Sequence, residues 1–485
     1  MKRTIRRSGA PLHALLLALP ILLVASTAQA GGFYLTDRGT RPLGRGHAYV
    51  AGADDPQALW YNPAGLGWSG KQILFDSTLT LLDAEYTRVD SGGNVLPTVE
   101  ASPAPLPIPM IAYTDDFGLD EWTFGLGVLA PNAALLEWPE SIQMDGMSAP
   151  APQRYSLLTM EGTVLAHLVA GVAWRPIPEL SIGLAPQLVI GSFNAQVAVS
   201  ACDGVVCSQP ENPEWDGLAQ IEIFPIIRPA ASVGVTYDAG FLRVGTSFMT
   251  PFNVGGSGEF RVRLPEAALF DGATVEGNQI EGEIKFPWIF RAGVEVRPVE
   301  ELRIETALVI EGWSRQERIS LTPQDVWIRD ATGIGDYQVG PVDIERNMKN
   351  VYSVRLGGSY ALADGRVVLS TGASWENGAF EDPYLTPLTL DTDKFLVSLG
   401  ASFEVSDGIW IDASYGHVFM RDRNVTDSQV LQTNPIRPPR TGGSPTEGGP
   451  VPVGNGQYAM KANVLGLGLR WQLDTQDPPT PPPEG

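Results

Sequence analysis

The stretch NVLGLGLRWQL, residues 463–473, decides the fold predicted for this 485-residue chain. Its side chains alternate between two faces. One face carries Leu465, Leu467, Leu469, Trp471 and Leu473, and the other carries Gly466, Gly468, Arg470 and Gln472. Alternation with a period of two predicts a β-strand that separates an apolar environment from a polar or crowded one.

The same alternation recurs along most of the chain and predicts fourteen strands. They are expected near residues 72–89, 106–115, 121–130, 158–175, 179–198, 222–238, 241–250, 281–297, 301–315, 346–362, 366–375, 391–405, 409–421 and 457–473. Tight turns such as RPVEE alternate with long Gly- and Pro-rich loops at 199–221, 251–280, 316–345 and 422–456. This pattern predicts an all-β fold, a transmembrane antiparallel β-barrel of about 14 strands.

Further observations distinguish this predicted barrel from a soluble β-sandwich, whose strands also alternate. The predicted strands are long and even in number, and their charged face is too regular for a sandwich core. Tryptophans at strand ends are expected to form interfacial girdles. They are Trp174, Trp288, Trp313, Trp375, Trp410 and Trp471.

Both ends of the chain are set apart from the barrel. Residues 1–30 combine a basic start, the apolar run LLLALPILLV and the small-residue site Ala28-Gln29-Ala30, which predicts a secretory signal peptide. A twin-arginine signal at Arg6-Arg7 is less favoured, because no apolar residues directly follow the pair. The Pro-rich segment 474–485 predicts a disordered tail, since prolines cannot extend a strand ladder.

The net charge of the chain disfavours nucleic acid as a partner, and its two cysteines favour a disulfide over a metal site. The net charge of −22 makes nucleic acid an unfavourable partner. The only cysteines, Cys202 and Cys207, flank a short turn-forming stretch, and an exported chain meets an oxidising compartment, which favours a disulfide. A metal site there is disfavoured because no histidine or third cysteine is near. No metal or other cofactor is predicted.

No pattern of residues predicts catalysis. After residue 30 the chain has three histidines, His47, His167 and His417, and none is spaced for a metal site. An outer-membrane lipid hydrolase is the main enzymatic alternative, but His167 has lumen-facing parity and Ser414 has parity opposite to His417. We therefore expect no enzymatic activity.

The segment after the signal peptide, GGFYLTDRGTRPLGRGHAYVAGADDPQALWYNPAGL, resembles the start of FadL/TodX-family outer-membrane transporters. The similar elements are Gly32-Phe33, LGRGHA at 43–48, ADD at 53–55 and Asn62-Pro63-Ala64. Later stretches also resemble family members: FGLGVLAP, QRYS, GWS and YSVRLGGSYAL. The resemblance implies a fourteen-stranded barrel, with residues 31–70 as a hatch that plugs the lumen of the barrel at 71–473.

The resemblance also implies site residues. Phe33 is expected in a ligand pocket, and Asn62, Pro63 and Ala64 are expected to contact an inward kink in the third strand. Glycines and prolines within strands mark bulges or close backbone approach, which places that kink at Gly125, Gly127 and Pro131. The alternative is that these glycines only relieve crowding inside the barrel.

The implied function is passive transport of long-chain fatty acids or other hydrophobic small molecules, with lateral release into the membrane through the kink. TodX-like uptake of aromatic hydrocarbons is one alternative, and a general porin or structural barrel is another. The expected location is the outer membrane of a Gram-negative-type bacterium. The expected partners are the hydrophobic ligand, outer-membrane lipid and the assembly machinery, around a monomeric barrel.

Overall fold

The computed structural model describes residues 37–102, 106–133, 136–144, 146–202, 207, 209–388, 390–438 and 451–473. The predicted signal peptide, Phe33 and the Pro-rich tail lie outside the described residues.

Fourteen antiparallel strands form a closed barrel, as the alternation predicts. The strands are β1 Gln72–Arg88, β2 Leu106–Asp115, β3 Trp122–Ala133, β4 Val164–Ile177, β5 Leu180–Ser200, β6 Asp216–Asp238, β7 Leu242–Met249 continued by Asn253–Arg263, β8 Gln279–Lys285 continued by Ile289–Val299, β9 Leu302–Glu311 continued by Arg318–Gln324, β10 Val342–Glu345 continued by Val351–Leu362, β11 Val367–Glu376, β12 Lys394–Ser406, β13 Ile409–Met420 and β14 Gly456–Gln472. The pairing of β14 with β1 closes the ring, from Gln72–Gln472 to Arg88–Gly456.

Short strands and helices complete the described elements. The additional strands are Val99–Glu100, Ser141–Met144, Met147–Pro150, Thr274–Glu276, Trp327–Ala331, Gly335–Gln338 and Arg423–Val425. The helices are α1 Thr40–Gly44, α2 Ala58–Tyr61 and the 3-10 turns Pro63–Trp68, Pro213–Trp215, Ala268–Phe270, Trp313–Arg315 and Asp382–Tyr384. Among these elements, no helix is both long and apolar enough to cross a membrane.

The quoted stretch of β14 has the two faces that its sequence predicts. Leu465 and Leu467 are exposed on the outer wall, with 41% and 63% of their surface accessible. On the inner face Arg470 pairs with Asp412 of β13, with Nε 2.7 Å from Oδ2. A Cβ added to Gly466 would lie 3.0 Å from Thr40 Oγ1 of the hatch. The outer wall is therefore apolar, and the inner wall is polar and closely filled.

Two of the predicted loops are wrong in part, because four strands resume after an interruption. The intervals 251–280 and 316–345 contain upper segments of β7 to β10. These segments pair with one another, through Asn253–Lys285, Glu283–Ser320 and Leu321–Val342. Proline and aromatic residues break the alternation in sequence at the interruptions of β7 and β8, and Trp313 does so in β9, although the ladder continues beyond them.

The hatch, residues 37–70, lies inside the barrel, and most of its side chains are buried. Its last turn follows from local chemistry at Asn62. This residue is extended, with φ −162° and ψ 102°, as expected for a residue that precedes proline. The Asn62 side chain then accepts a hydrogen bond from the Ala64 N–H at 3.2 Å, and Pro63 opens the 3-10 turn.

Candidate functional site

The hatch is fixed to one side of the barrel by a buried carboxylate. Glu305 of β9 accepts hydrogen bonds from three successive backbone N–H groups, those of Val50, Ala51 and Gly52, at 2.6, 2.8 and 2.9 Å. The hatch residue Arg45 lies 3.2 Å from the same carboxylate and 2.8 Å from Glu295 of β8. A fully buried carboxylate needs this number of donors, because burial without partners is costly.

A second group of charges extends this attachment. Arg303 of β9 bridges Asp54 of the hatch and Glu295, at 2.6 and 3.0 Å. Arg41 joins Asp54 to Asp55 within the hatch. Burial alone would raise the pKa of Asp54, but the guanidinium groups of Arg303 and Arg41 hold it well below its usual value. The Asp54 carboxylate is therefore ionised at neutral pH and pairs with both guanidinium groups.

The structure places Asn62, Pro63 and Ala64 against β5 and β6 rather than the third strand. Asn62 Nδ2 donates to Thr236 Oγ1 of β6 at 2.9 Å, and Ser181 of β5 donates to the Ala64 carbonyl at 2.7 Å. A Cβ added to Gly183 of β5 would lie 2.2 Å from the Pro63 carbonyl carbon. These three residues fit closely over strand glycines because they are compact and expose backbone atoms.

Two leucines of the same hatch segment contact β3 instead. A Cβ added to Gly125 would lie 3.1 Å from Leu59 and 3.3 Å from Leu66, and one added to Gly127 would lie 2.9 Å from Leu59. Pairing with both neighbouring strands is regular at the two glycines. Gly125 and Gly127 therefore make room for the hatch and do not form the irregularity in the strand.

The irregularity of β3 lies at Pro131. The register between β3 and β4 shifts between Leu129 and Asn132, which is a bulge. Pro131 is buried, and its carbonyl accepts a hydrogen bond from Arg38 Nη2 of the hatch at 3.0 Å. The strand does not end at Pro131, as the sequence suggested, but continues to Ala133. Arg38 is the hatch side chain that reaches this bulge, and no pattern in the sequence indicated this contact.

The wall is open above this bulge. Pairing between β2 and β3 runs from Asp115–Phe124 to Met110–Leu129 and then stops, although both strands continue. The upper part of β2, residues 106–109, keeps its pairing with β1. Pro107 and Pro109 within it have no N–H to donate, a feature of unpaired strand edges. An apolar groove on the outer wall, lined by Ile111, Leu126 and Leu168, lies across the neighbouring strands.

A row of aromatic rings crosses the lumen at the level where β7, β8 and β9 are interrupted. Phe252 and Phe286 stack with ring centroids 4.8 Å apart, and Trp313 lies 5.8 Å from Phe286. His167 joins Phe252 to Trp60 of the hatch, at 5.7 and 5.5 Å. The assignment of Trp313 to a girdle is wrong, because its indole is buried and donates to Glu311 at 2.7 Å. In the sequence, the aromatic residue at the interruption of each of these three strands could have indicated the row.

An apolar cavity lies among the upper strand segments and the loops, beyond the aromatic row. None of the described residues that line it is charged. Its walls include Phe193, Ile221, Phe260, Leu321, Leu388 and Val453. The resemblance implied an apolar ligand pocket within the barrel, but the sequence did not identify the walls of this cavity, because they come from strand segments and loops that are far apart in the chain. Its chemistry suits a hydrophobic ligand.

The other residues predicted for the site are the two cysteines and Phe33. Cys202 and Cys207 are joined by a disulfide, with Cα atoms 5.6 Å apart. Phe33 lies outside the described residues. The first described residue of the hatch, Asp37, pairs with Arg355 at 2.5 Å. Within the described part of the chain, no group of three or more His, Cys, Asp or Glu side chains could hold a metal ion.

Comparison with known families decides the identity of this hatch-filled barrel. A family profile described as outer membrane protein transport protein (OMPP1/FadL/TodX) matches residues 21–471. The chain belongs to this family. A FadL-type transporter is an outer-membrane β-barrel of Gram-negative bacteria that carries hydrophobic compounds, and this description applies to the chain.

Solved structures of FadL-type barrels share the fold. A FadL homologue of Pseudomonas aeruginosa is 15% identical, with a TM-score of 0.70, and the match covers 92% of this chain and 100% of that one. The Pseudomonas putida toluene transporter TodX is 14% identical with a TM-score of 0.60, covering 91% and 100%. The Ralstonia pickettii toluene transporter TbuX is 13% identical with a TM-score of 0.57, covering 90% and 99%. A search of curated protein sequences returned no match.

Proposed function

We propose that this FadL-type protein takes hydrophobic small molecules, long-chain fatty acids first among them, from the extracellular side and releases them sideways into the outer membrane between β2 and β3. The observation that carries the proposal is the end of pairing at Met110–Leu129, where two strands of a closed barrel separate while both continue. Backbone groups at a membrane wall are otherwise paired throughout.

The apolar cavity supports capture without an energy source. Burial of apolar surface contributes about 25 cal/mol per Å² removed from water. A hydrophobic ligand therefore enters the cavity spontaneously, and the aromatic row below it offers the next contact. The hatch fills the lumen beneath, so straight passage towards the periplasm would require several buried ion pairs to separate. The opening beside Pro131 avoids that cost.

Uptake of labelled ligand tests the lateral route. The variant is deletion of Pro131, which removes the extra residue of the bulge and favours regular pairing of β3. Uptake of radiolabelled oleate and of radiolabelled toluene is measured separately in cells. For each compound that wild-type cells take up, we expect the deletion to lower the rate of uptake by about tenfold or more. The control deletes Val405, the extra residue of a bulge between β12 and β13, which lie elsewhere in the ring and do not border the β2–β3 opening.

The outcomes separate folding from transport. Heat-modifiable migration in gels verifies that each barrel is folded. Uptake at the wild-type rate in the folded Pro131 deletion overturns lateral release at this place. A similar loss in the Val405 deletion would assign the effect to general damage of the barrel.

A polar pore is the competing function, and the filled lumen opposes it. Wild-type protein in a planar bilayer should show little steady ion conductance, whereas a general porin conducts strongly. Large steady conductance would favour the porin.

A further inference from the structure

The wall of the barrel has a second break in strand pairing, between β6 and β7. The lower ladder ends at the pair Ser232–Met249, and the next pair is Glu222–Glu259. All residues between these pairs are described, and the ladder has no pair among them. Both strands continue through the break, and each stays paired with its other neighbour over most of it. The wall can therefore part here while β5–β6 and β7–β8 remain joined.

The sequence of the break explains why the ladder stops. Proline has no N–H to donate, and Pro225 and Pro229 lie in β6 within the break, while Pro251 lies at the interruption of β7. At the lower end of the break the Thr250 N–H still donates to the Ala231 carbonyl, at 2.9 Å. Prolines mark the opening between β2 and β3 in the same way.

The side chain of Arg228 lies across the break. Carbonyl groups that face lipid need hydrogen-bond donors, and this guanidinium supplies them. Nε donates to the Asn253 carbonyl of β7 at 3.0 Å, and Nη2 donates to the Gly255 carbonyl of the same strand. Nη1 donates to the Ile227 carbonyl of β6 at 2.9 Å. Because these bonds come from one side chain, they can be broken without unfolding either strand.

The surfaces on both sides of the break are apolar. On the outer wall Phe224 and Ile227 are exposed, with 64% and 53% of their surface accessible. On the inner face Ile226 and Val254 are buried in the same apolar cluster as Phe252 of the aromatic row. A hydrophobic molecule at the aromatic row therefore lies close to an apolar path through the wall.

The break lies between the apolar cavity and the aromatic row, at the height of the opening beside Pro131. Ile221 and Phe260, which pair directly above the break, line the cavity. Met249 below this break and Leu129 below the β2–β3 opening are each the eighth residue of a strand. Tilted strands rise about 2.5 Å per residue, so both breaks begin about 20 Å above the short turns, within an apolar band about 25 Å tall.

We propose that the break between β6 and β7 is a second lateral passage between the lumen and the outer leaflet of the membrane, and that Arg228 closes it. The proposal rests on the proposed function, because it gives the same hydrophobic ligands another route. Opening this passage breaks the two hydrogen bonds from Arg228 to β7 and leaves the ion pairs between the hatch and β8 and β9 in place.

Labelling of a buried cysteine from the lipid side tests the passage directly. The two cysteines of the chain form a disulfide, so Val254→Cys supplies the one reactive thiol. Full-length mature protein in nanodiscs is treated with pyrene maleimide, which dissolves in lipid, or with a sulfonated maleimide, which stays in water. We expect Arg228→Ala to speed the reaction with pyrene maleimide about tenfold, because loss of hydrogen bonds from a charged group favours opening by at least that factor. Reaction with the sulfonated reagent should stay slow.

Two controls separate a local opening from general loosening of the barrel. Arg261→Ala changes an exposed arginine of β7 above the break, where pairing with β6 is regular, and should not speed the labelling of Val254→Cys. Val309→Cys, at a buried position on the inner face of β9, should stay unreactive when Arg228 is replaced. Heat-modifiable migration verifies the fold of each variant. If Arg228→Ala does not fold, Arg228→Gln takes its place, because the shorter side chain replaces at most one of the hydrogen bonds to β7.

The labelling rates decide between a passage and a fixed part of the wall. Equal rates with and without Arg228 would overturn the proposal, since the break would then stay closed without this side chain. An equal rise with both reagents would also overturn it, because the thiol would then be reached through water from the loops.

Uptake measurements separate this proposal from the proposed function. In cells whose barrel carries the Pro131 deletion, Arg228→Ala should raise uptake of radiolabelled oleate or toluene about tenfold, towards the wild-type rate. No rise in a folded double variant would contradict transport through the break. If the Pro131 deletion alone leaves uptake unchanged, release between β2 and β3 fails, and the labelling of Val254→Cys still decides whether the passage between β6 and β7 exists.

Discussion

The hatch meets two sides of the same barrel in different ways. Towards β8 and β9 it is held by Glu305, Glu295 and Arg303, through charged hydrogen bonds that are largely buried. Towards β3 its contacts are Leu59 and Leu66, with one hydrogen bond from Arg38 to the Pro131 carbonyl. β3 itself contains no charged residue. The hatch can therefore loosen beside the wall opening without separating an ion pair, whereas loosening on the other side separates several.

Removal of the main anchor should have the largest effect. Glu305→Ala leaves three backbone N–H groups without their buried acceptor and removes one of the two carboxylates that pair with Arg45, a loss of about 3–5 kcal/mol of hatch stability. We expect steady ion conductance in planar bilayers where wild type shows little. Glu345→Gln, at a glutamate of β10 with 41% of its side chain accessible, is the control and should conduct like wild type. Unchanged conductance of a folded Glu305→Ala barrel would refute the anchoring role.

Crowding the other side should have an intermediate effect. Gly127→Val places side-chain atoms against Leu59, an overpacking that costs about 1–3 kcal/mol. We expect slower ligand uptake through a folded barrel. The double variant Gly127→Val with Leu59→Ala should recover much of the rate, because the smaller hatch side chain restores the space. Lack of recovery would show that the glycine matters for another reason.

A pH effect on the hatch should be smallest. Burial lowers the pKa of His47 to about 4, and its ring contacts Tyr61 through Nδ1 at 3.1 Å. The neutral ring is favoured in the folded hatch, so its contribution is present above the ordinary pKa of about 6.5 and is lost as pH falls towards 4. Hydrogen exchange of hatch amides should quicken between pH 7.5 and pH 5.8, after correction for intrinsic rates, by an amount equivalent to about 1 kcal/mol.

The variant His47→Gln supplies the reference for that experiment. Glutamine does not titrate in this range, so the pH-dependent part of the exchange should disappear. An equal pH dependence in wild type and variant would assign the effect to another group in or around the hatch.

The candidate site was only partly predictable from sequence. The segment containing Asn62-Pro63-Ala64 does lie in the lumen, and Pro131 does lie at a bulge. The strand that each hatch residue contacts was not predictable, because it depends on the tilt and stagger of the strands around the ring. The aromatic row lies at strand interruptions, where the alternation that guides prediction is lost.

The alternation of residues in the sequence is sufficient to specify the barrel wall, that is, its fourteen strands and their two faces. Period-two alternation requires one apolar and one filled face, and fourteen such strands can satisfy their backbone groups in lipid only by closing on themselves. The contents of the barrel follow only from its folding in three dimensions: the anchoring of the hatch on β9, the opening beside Pro131, and the apolar cavity beyond the aromatic row. Each of these joins residues distant in the chain, and closure of the ring sets their distances.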